Sequence, residues 1–123
     1  MIKIQEQKPE IPVEIGALEF SFSVTDESVL RFRRNAVKIQ QELEKVEIET
    51  DEEKALEQAK KALKKGFDLI LGDGAFEKIY ELTPSVPFLM NYFEQLSNGL
   101  HQELQNIGAY KAVEERAKRY TKK

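Results

Sequence analysis

Apolar and polar residues alternate strictly from Leu18 to Val24, where Leu18, Phe20, Phe22 and Val24 are separated by Glu19, Ser21 and Ser23. A period of two describes a strand with one face buried and the other in water. Ile11, Val13 and Ile15 alternate in the same way just ahead, and Gly16-Ala17 makes a short connection between the two runs. Together they predict a β-hairpin. Pro12 has no amide hydrogen to donate, which puts the first strand at a sheet edge. Two strands are marginal alone and need helices over their apolar face.

The pattern then changes to the period of a helix. Thr25-Asp26-Glu27 offers an N-cap and first-turn acids for a helix running to about Val46. At 100° per residue, Val29, Phe32, Ala36, Ile39, Leu43 and Val46 fall in one stripe, and Arg31, Arg34, Lys38 and Lys45 in another roughly opposite. Thr50-x-x-Glu53 has capping-box spacing and announces a second helix, with Leu56, Ala59, Leu63, Phe67 and Ile70 as its seam. Gly66 falls inside that seam and predicts a bend or restart.

Gly72-Asp73-Gly74 ends this helix, Gly72 being suited to a left-handed C-terminal cap. A short helical turn follows from Ala75 to about Leu82. Thr83-Pro84 then pairs an N-cap with a first-position proline, opening a last long helix that reaches Gly108. The predicted fold class is α+β, mostly helical, with the N-terminal hairpin packed on a bundle of about four helices. The organisation is an extension or edge strand over 1–10, one domain over 11–108, and a basic C-terminal helix or flexible tail over 109–123.

Composition changes this picture little. A chain of 123 residues with 41% hydrophobic and 33% charged residues fits one globular domain with one modest core. The absence of cysteine excludes disulfides, thiolate chemistry and cysteine-based zinc sites, and suits a reducing compartment. No apolar run is long enough to span a bilayer, and MIKIQEQKPE has no signal-peptide core, so export and membrane partners are not expected. A net charge of −3 argues against a dedicated nucleic-acid binder. The charge is uneven, however: from Tyr110 onward six Lys/Arg face two Glu, a local net of +4. Lys111, Arg116, Lys118 and Arg119 are therefore candidate partner-binding residues, beside the plainer reading of a solvated terminus.

Catalytic chemistry finds no constellation in the chain. The single histidine, His101, flanks the apolar stripe of the last helix with no nucleophile paired to it in sequence. The acids Glu47, Glu49, Asp51, Glu52 and Glu53 lack the spacing of a calcium loop and suit a helix N-terminus. Gly72-x-Gly74 is followed by neither a Lys-Ser/Thr nor a third glycine, so it is not a nucleotide loop. The expectation is a non-enzymatic protein with no catalytic residues, no cofactor and no metal. In the last helix Val86, Leu89, Met90, Phe93, Leu96, Leu100, Leu104 and Ile107 form a core stripe, while Phe88 and Tyr92 lie one turn apart on nearly the opposite side. Two aromatics away from the main seam make either a second packing layer or an exposed binding strip. They are the leading candidate for partner binding.

The order of parts resembles the small tail assembly chaperones of long-tailed bacteriophages and Gram-positive prophages. It lies in the hairpin IPVEIGALEFSFSV, a helix, a lysine- and glutamate-rich helix, and then FDLILGDGAFEKIYELTPSVPFLMNYFEQL. The resemblance covers roughly Ile11 to Ile107 and rests on architecture more than on signature residues. It implies a protein of the bacterial host's cytoplasm, absent from the mature virion, that binds the tape-measure protein and helps recruit tail-tube protein, with self-association left open. The family brings no catalytic residues. The alternative is a structural head–tail completion or tail-terminator protein retained in the virion.

Overall fold

The computed structural model describes residues 1–107. It is an α+β, mostly helical fold: a two-stranded antiparallel hairpin followed, among the described residues, by four helices. Strand β1 spans Glu10–Ile15 and β2 spans Leu18–Ser23. Their register pairs Ile11 with Phe22, Val13 with Phe20 and Ile15 with Leu18, so every apolar residue of the alternation falls on one face. Pro12 stands opposite Ser21 in β1, where its missing donor faces away from the two-stranded ladder. Gly16 turns the chain with φ +59°, and among the described residues no non-glycine residue has positive φ. A positive φ at the first of two loop residues is the pattern of a II′ hairpin turn.

Helix α1 spans Asp26–Glu47 and α2 spans Glu52–Leu71. Thr25 caps α1 by accepting from the Ser28 amide at 3.3 Å. The cap of α2 falls one residue later than the capping-box spacing predicts. Asp51, not Thr50, accepts from the amides of Glu53 and Lys54 at 3.0 and 3.4 Å. The four-residue turn between the helices brings Glu42 beside Lys65 at 3.6 Å, so α1 and α2 run antiparallel. Val29, Phe32, Ile39 and Leu43 from α1 are buried, as are Ala59, Ala62, Leu63, Phe67 and Ile70 from α2. Ala36 and Val46 are half-buried. Leu56, expected in the seam, is exposed, because it lies in the first turns of α2 beyond the point where α1 has ended.

Gly66 interrupts nothing: α2 is continuous through it, against the expected bend. Gly72 has φ 105° with ψ 160°, which is not the left-handed cap; that conformation belongs to Gly74, at φ 87° and ψ −3°. Helix α3 spans Ala75–Leu82 and starts on Gly74, which has no side chain to cap it. Asp68 supplies the missing acceptor from α2, taking the Phe76 amide at 2.9 Å. Helix α4 spans Val86–Asn106 and opens at Val86, two residues past Pro84. Thr83 does not cap it, and Leu89 donates instead to the Ser85 carbonyl.

Residues 1–93 form one compact unit, and a second begins at Glu94. In the first, the core is aromatic at two crossings. Phe22 of β2 meets Phe32 of α1 edge-on at 5.6 Å, which holds the hairpin to the helices. Phe67 of α2 meets Phe93 of α4 edge-on at 5.3 Å. Such pairs contribute about 0.5–1.5 kcal/mol beyond the area they bury. In the second unit Leu96, Leu100 and Leu104 are buried, as their spacing predicts.

Candidate partner-binding surfaces

The two aromatics set apart by sequence have different surroundings. Phe88 is 61% exposed, and its ring is offered to solvent at the start of α4. Tyr92, one turn on, is half-buried, and its hydroxyl shares a hydrogen bond with Thr83 Oγ1 at 3.2 Å. The threonine read as a helix cap is therefore a partner for the tyrosine. That bond ties the end of α3 to the second turn of α4. Leu82, immediately before Thr83, is also exposed.

Leu82 closes this end of the unit against the hairpin. A Cβ on Gly16 would lie 3.0 Å from Leu82 Cδ2, so the turn comes close to the end of α3, and the φ of +59° at Gly16 is what favours glycine there. The exposed apolar residues of this end are thus Leu82 and Phe88, carried on α3 and α4. Sequence periodicity singled out Phe88 and missed Leu82, which falls in a short helix with too few turns to define a face.

Charge is arranged elsewhere. Lys64 of α2 binds Glu77 of α3 at 2.8 Å and lies 3.9 Å from Asp68. The hydrogen bond and the charge of Glu77 raise the Lys64 ammonium above its ordinary range, and the same bond holds the Glu77 carboxyl below its own. Both groups face solvent, so the pair orients α3 without forming a buried polar site. An open groove of ≈540 Å³ runs beside the last turn of α1, lined by residues of mixed charge such as Glu42, Lys45, Lys61 and Lys65 around Ile48. Among the described residues no group of three His, Asp or Glu could hold a metal ion. Likewise, no helix among them is long and apolar enough to cross a membrane.

The outer face of α1 holds a further apolar line that periodicity did not single out. Arg31, Arg34, Lys38 and Lys45 are exposed there as expected, but so are Leu30 and Val37, with Ile48 at the helix end. Arg31 is held by Glu27 at 2.9 Å along the helix. The candidates Lys111, Arg116, Lys118 and Arg119 lie outside the described residues.

Residues 16–123 match the model of a family of unknown function (DUF6673). No curated protein and no solved structure matches the chain.

Proposed function

We propose, on the premise that the chain belongs to the DUF6673 family of unknown function, that it is a non-enzymatic tail assembly chaperone. In this reading it holds a long, largely helical tape-measure protein in solution and helps recruit tail-tube protein to it. The observation that carries the proposal is the exposed ring of Phe88, seated beside a tyrosine whose hydroxyl is already satisfied. A large ring left in water gains free energy when an apolar surface covers it. The Thr83–Tyr92 bond joins the end of α3 to the helix that presents the ring and occupies the tyrosine hydroxyl, leaving the ring of Phe88 as the group a partner would cover. An amphipathic partner helix, with apolar residues every three or four positions, has the shape for such a rim.

The order of hairpin, helical hairpin, glycine turn and long helix supplies the second support, through its resemblance to tail assembly chaperones. A protein with this task works in the cytoplasm of the bacterial host and is left out of the finished virion.

Co-expression with a tape-measure protein tests the reading. Phe88→Ser should abolish co-purification while leaving the helical circular dichroism spectrum intact, and Tyr92→Phe should preserve co-purification. Capture unchanged by Phe88→Ser would remove this surface from the function. Mass spectrometry of purified virions should find the chain absent; finding it there would instead favour a structural head–tail component.

A further inference from the structure

The outer face of α1 is built as a heptad seam. Leu30, Arg34, Val37, Gln41, Glu44 and Ile48 follow one another at spacings of four, three, four, three and four, the repeat that keeps one line of a helix facing a second helix. All six are exposed, and the apolar members are open to water to 52% at Leu30, 59% at Val37 and 80% at Ile48. The line lies opposite Phe32, Ile39 and Leu43, which point α1 into its own core. Ile48 keeps right-handed helical backbone, at φ −97° and ψ −2°, so the seam continues one residue past the last hydrogen-bonded turn.

We infer that this face is a contact between two copies of the chain, with their α1 helices packed antiparallel about a two-fold axis near Ile39. The order of residues along the seam carries the inference. In that register Leu30 of one copy packs in the same layer as Ile48 of the other, Arg34 meets Glu44, and Val37 meets Gln41. The two-fold axis repeats each layer. The seam is therefore complementary to its own reverse: apolar on apolar at the ends, opposite charges inside them, and a long polar side chain over valine at the centre.

A parallel pair of the same helices would set Arg34 against Arg34 and Glu44 against Glu44, stacking like charges within the seam. The charges thus select direction. On one flank of the antiparallel arrangement Arg31 faces Lys45 and Lys38 faces its own copy, a repulsion eased where Arg31 is paired with Glu27 in its own helix, while on the other flank Arg33 faces Glu47. Three apolar side chains on each helix make a modest interface, of the size found in weak and reversible association. The inference stands apart from the rim at Phe88, because it concerns the chain alone.

Sedimentation velocity over a concentration series of the full chain, from micromolar toward millimolar, should show a reversible monomer–dimer equilibrium. Arg34→Glu and Glu44→Arg should each weaken the dimer by tenfold or more. The double variant, which restores opposite charges in every layer, should recover it. Circular dichroism of each variant checks that these exposed substitutions leave the fold in place.

Direction is read separately, because the chain has no cysteine of its own. A mixture of Leu30→Cys and Ile48→Cys chains should be joined by a short bismaleimide, whereas Leu30→Cys alone should not. A chain that stays monomeric throughout overturns the inference. So does a dimer indifferent to the charge reversals, or one that cross-links Leu30 to Leu30. A monomer whose capture of a long helical protein is lost on Arg34→Glu would assign the face to that protein and also overturn it.

Discussion

The ring of Phe93 occupies the volume that a side chain on Gly66 would need. A Cβ at Gly66 would lie 2.5 Å from Phe93 Cε1 and 2.9 Å from Cζ, with Ile39 Cδ1 at 3.1 Å on the other side. The glycine is therefore a notch in α2 into which α4 seats an aromatic, while α1 closes the same point.

Gly66→Ala should destabilise the fold, although alanine is the better helix former by about 1 kcal/mol. Overpacking a filled site costs about 1–3 kcal/mol, and neither ring nor helix backbone can withdraw without losing contacts. A net loss of about 1 kcal/mol or more is expected in urea denaturation. Adding Phe93→Leu should recover part of it. Stability raised by the alanine alone would mean that the notch is not needed.

Asp51 and Thr50 separate two accounts of how α2 begins. Since Asp51 makes both amide contacts, Asp51→Ala should cost about 1 kcal/mol, whereas Thr50→Ala should fall within about 0.5 kcal/mol of the parent. Equal losses would restore the capping box read from spacing.

Asp68 acts as a cap for a helix it does not belong to. Asp68→Ala frees the Phe76 amide and should cost about 1 kcal/mol, with amide exchange faster at the first turn of α3. Asp68→Asn keeps an acceptor oxygen and should lose less. An exchange pattern that leaves Phe76 as protected as before would rule out the cap.

The Lys64–Glu77 pair predicts a bounded pH window. A carboxyl held below its ordinary range stabilises the fold at pH above that range, and the effect disappears as pH falls through the lowered value. An ammonium raised above its ordinary range stabilises below that range and ceases to as pH rises through the raised value. The difference in melting temperature between the parent and Glu77→Gln should therefore be steady at intermediate pH and vanish at both extremes. Salt should shrink it throughout, because both groups are in water. A difference that persisted in strong acid would assign the effect to packing.

Tyr92→Phe isolates the bond to Thr83. Removing the hydroxyl should cost about 1 kcal/mol while leaving ring burial unchanged. The same variant should bind partner normally, so a loss of stability without a loss of capture is the expected signature.

Much of the fold was legible because simple periods carry it. The alternation through Ile11–Ile15 and Leu18–Phe22 fixed the face of each strand, and the register followed from the two-residue turn. The seams of α1, α2 and α4 were legible for the same reason, except at Leu56, where burial depends on how far the neighbouring helix extends. Gly66 read as a weak point because its reason lies in Phe93, far along the chain. Thr83 read as a cap because a hydroxyl beside proline has that local use; its actual use depends on Tyr92 arriving one helix later. At the candidate site, spacing isolated Phe88 and Tyr92 but could not tell the open ring from the tethered one. The line from Leu30 to Ile48 escaped notice because arginine, glutamine and glutamate occupy half of it.

Among the described residues, every fully buried side chain is apolar or glycine. Such an interior contains no group that titrates, so ordinary changes of acidity reach the molecule only through its surface. Its cohesion instead comes from water released by hydrocarbon and ring surfaces, a driving force with a large heat capacity. Temperature is accordingly the variable to which this interior responds most. The fold should loosen on strong cooling as well as on heating, with its greatest stability between the two.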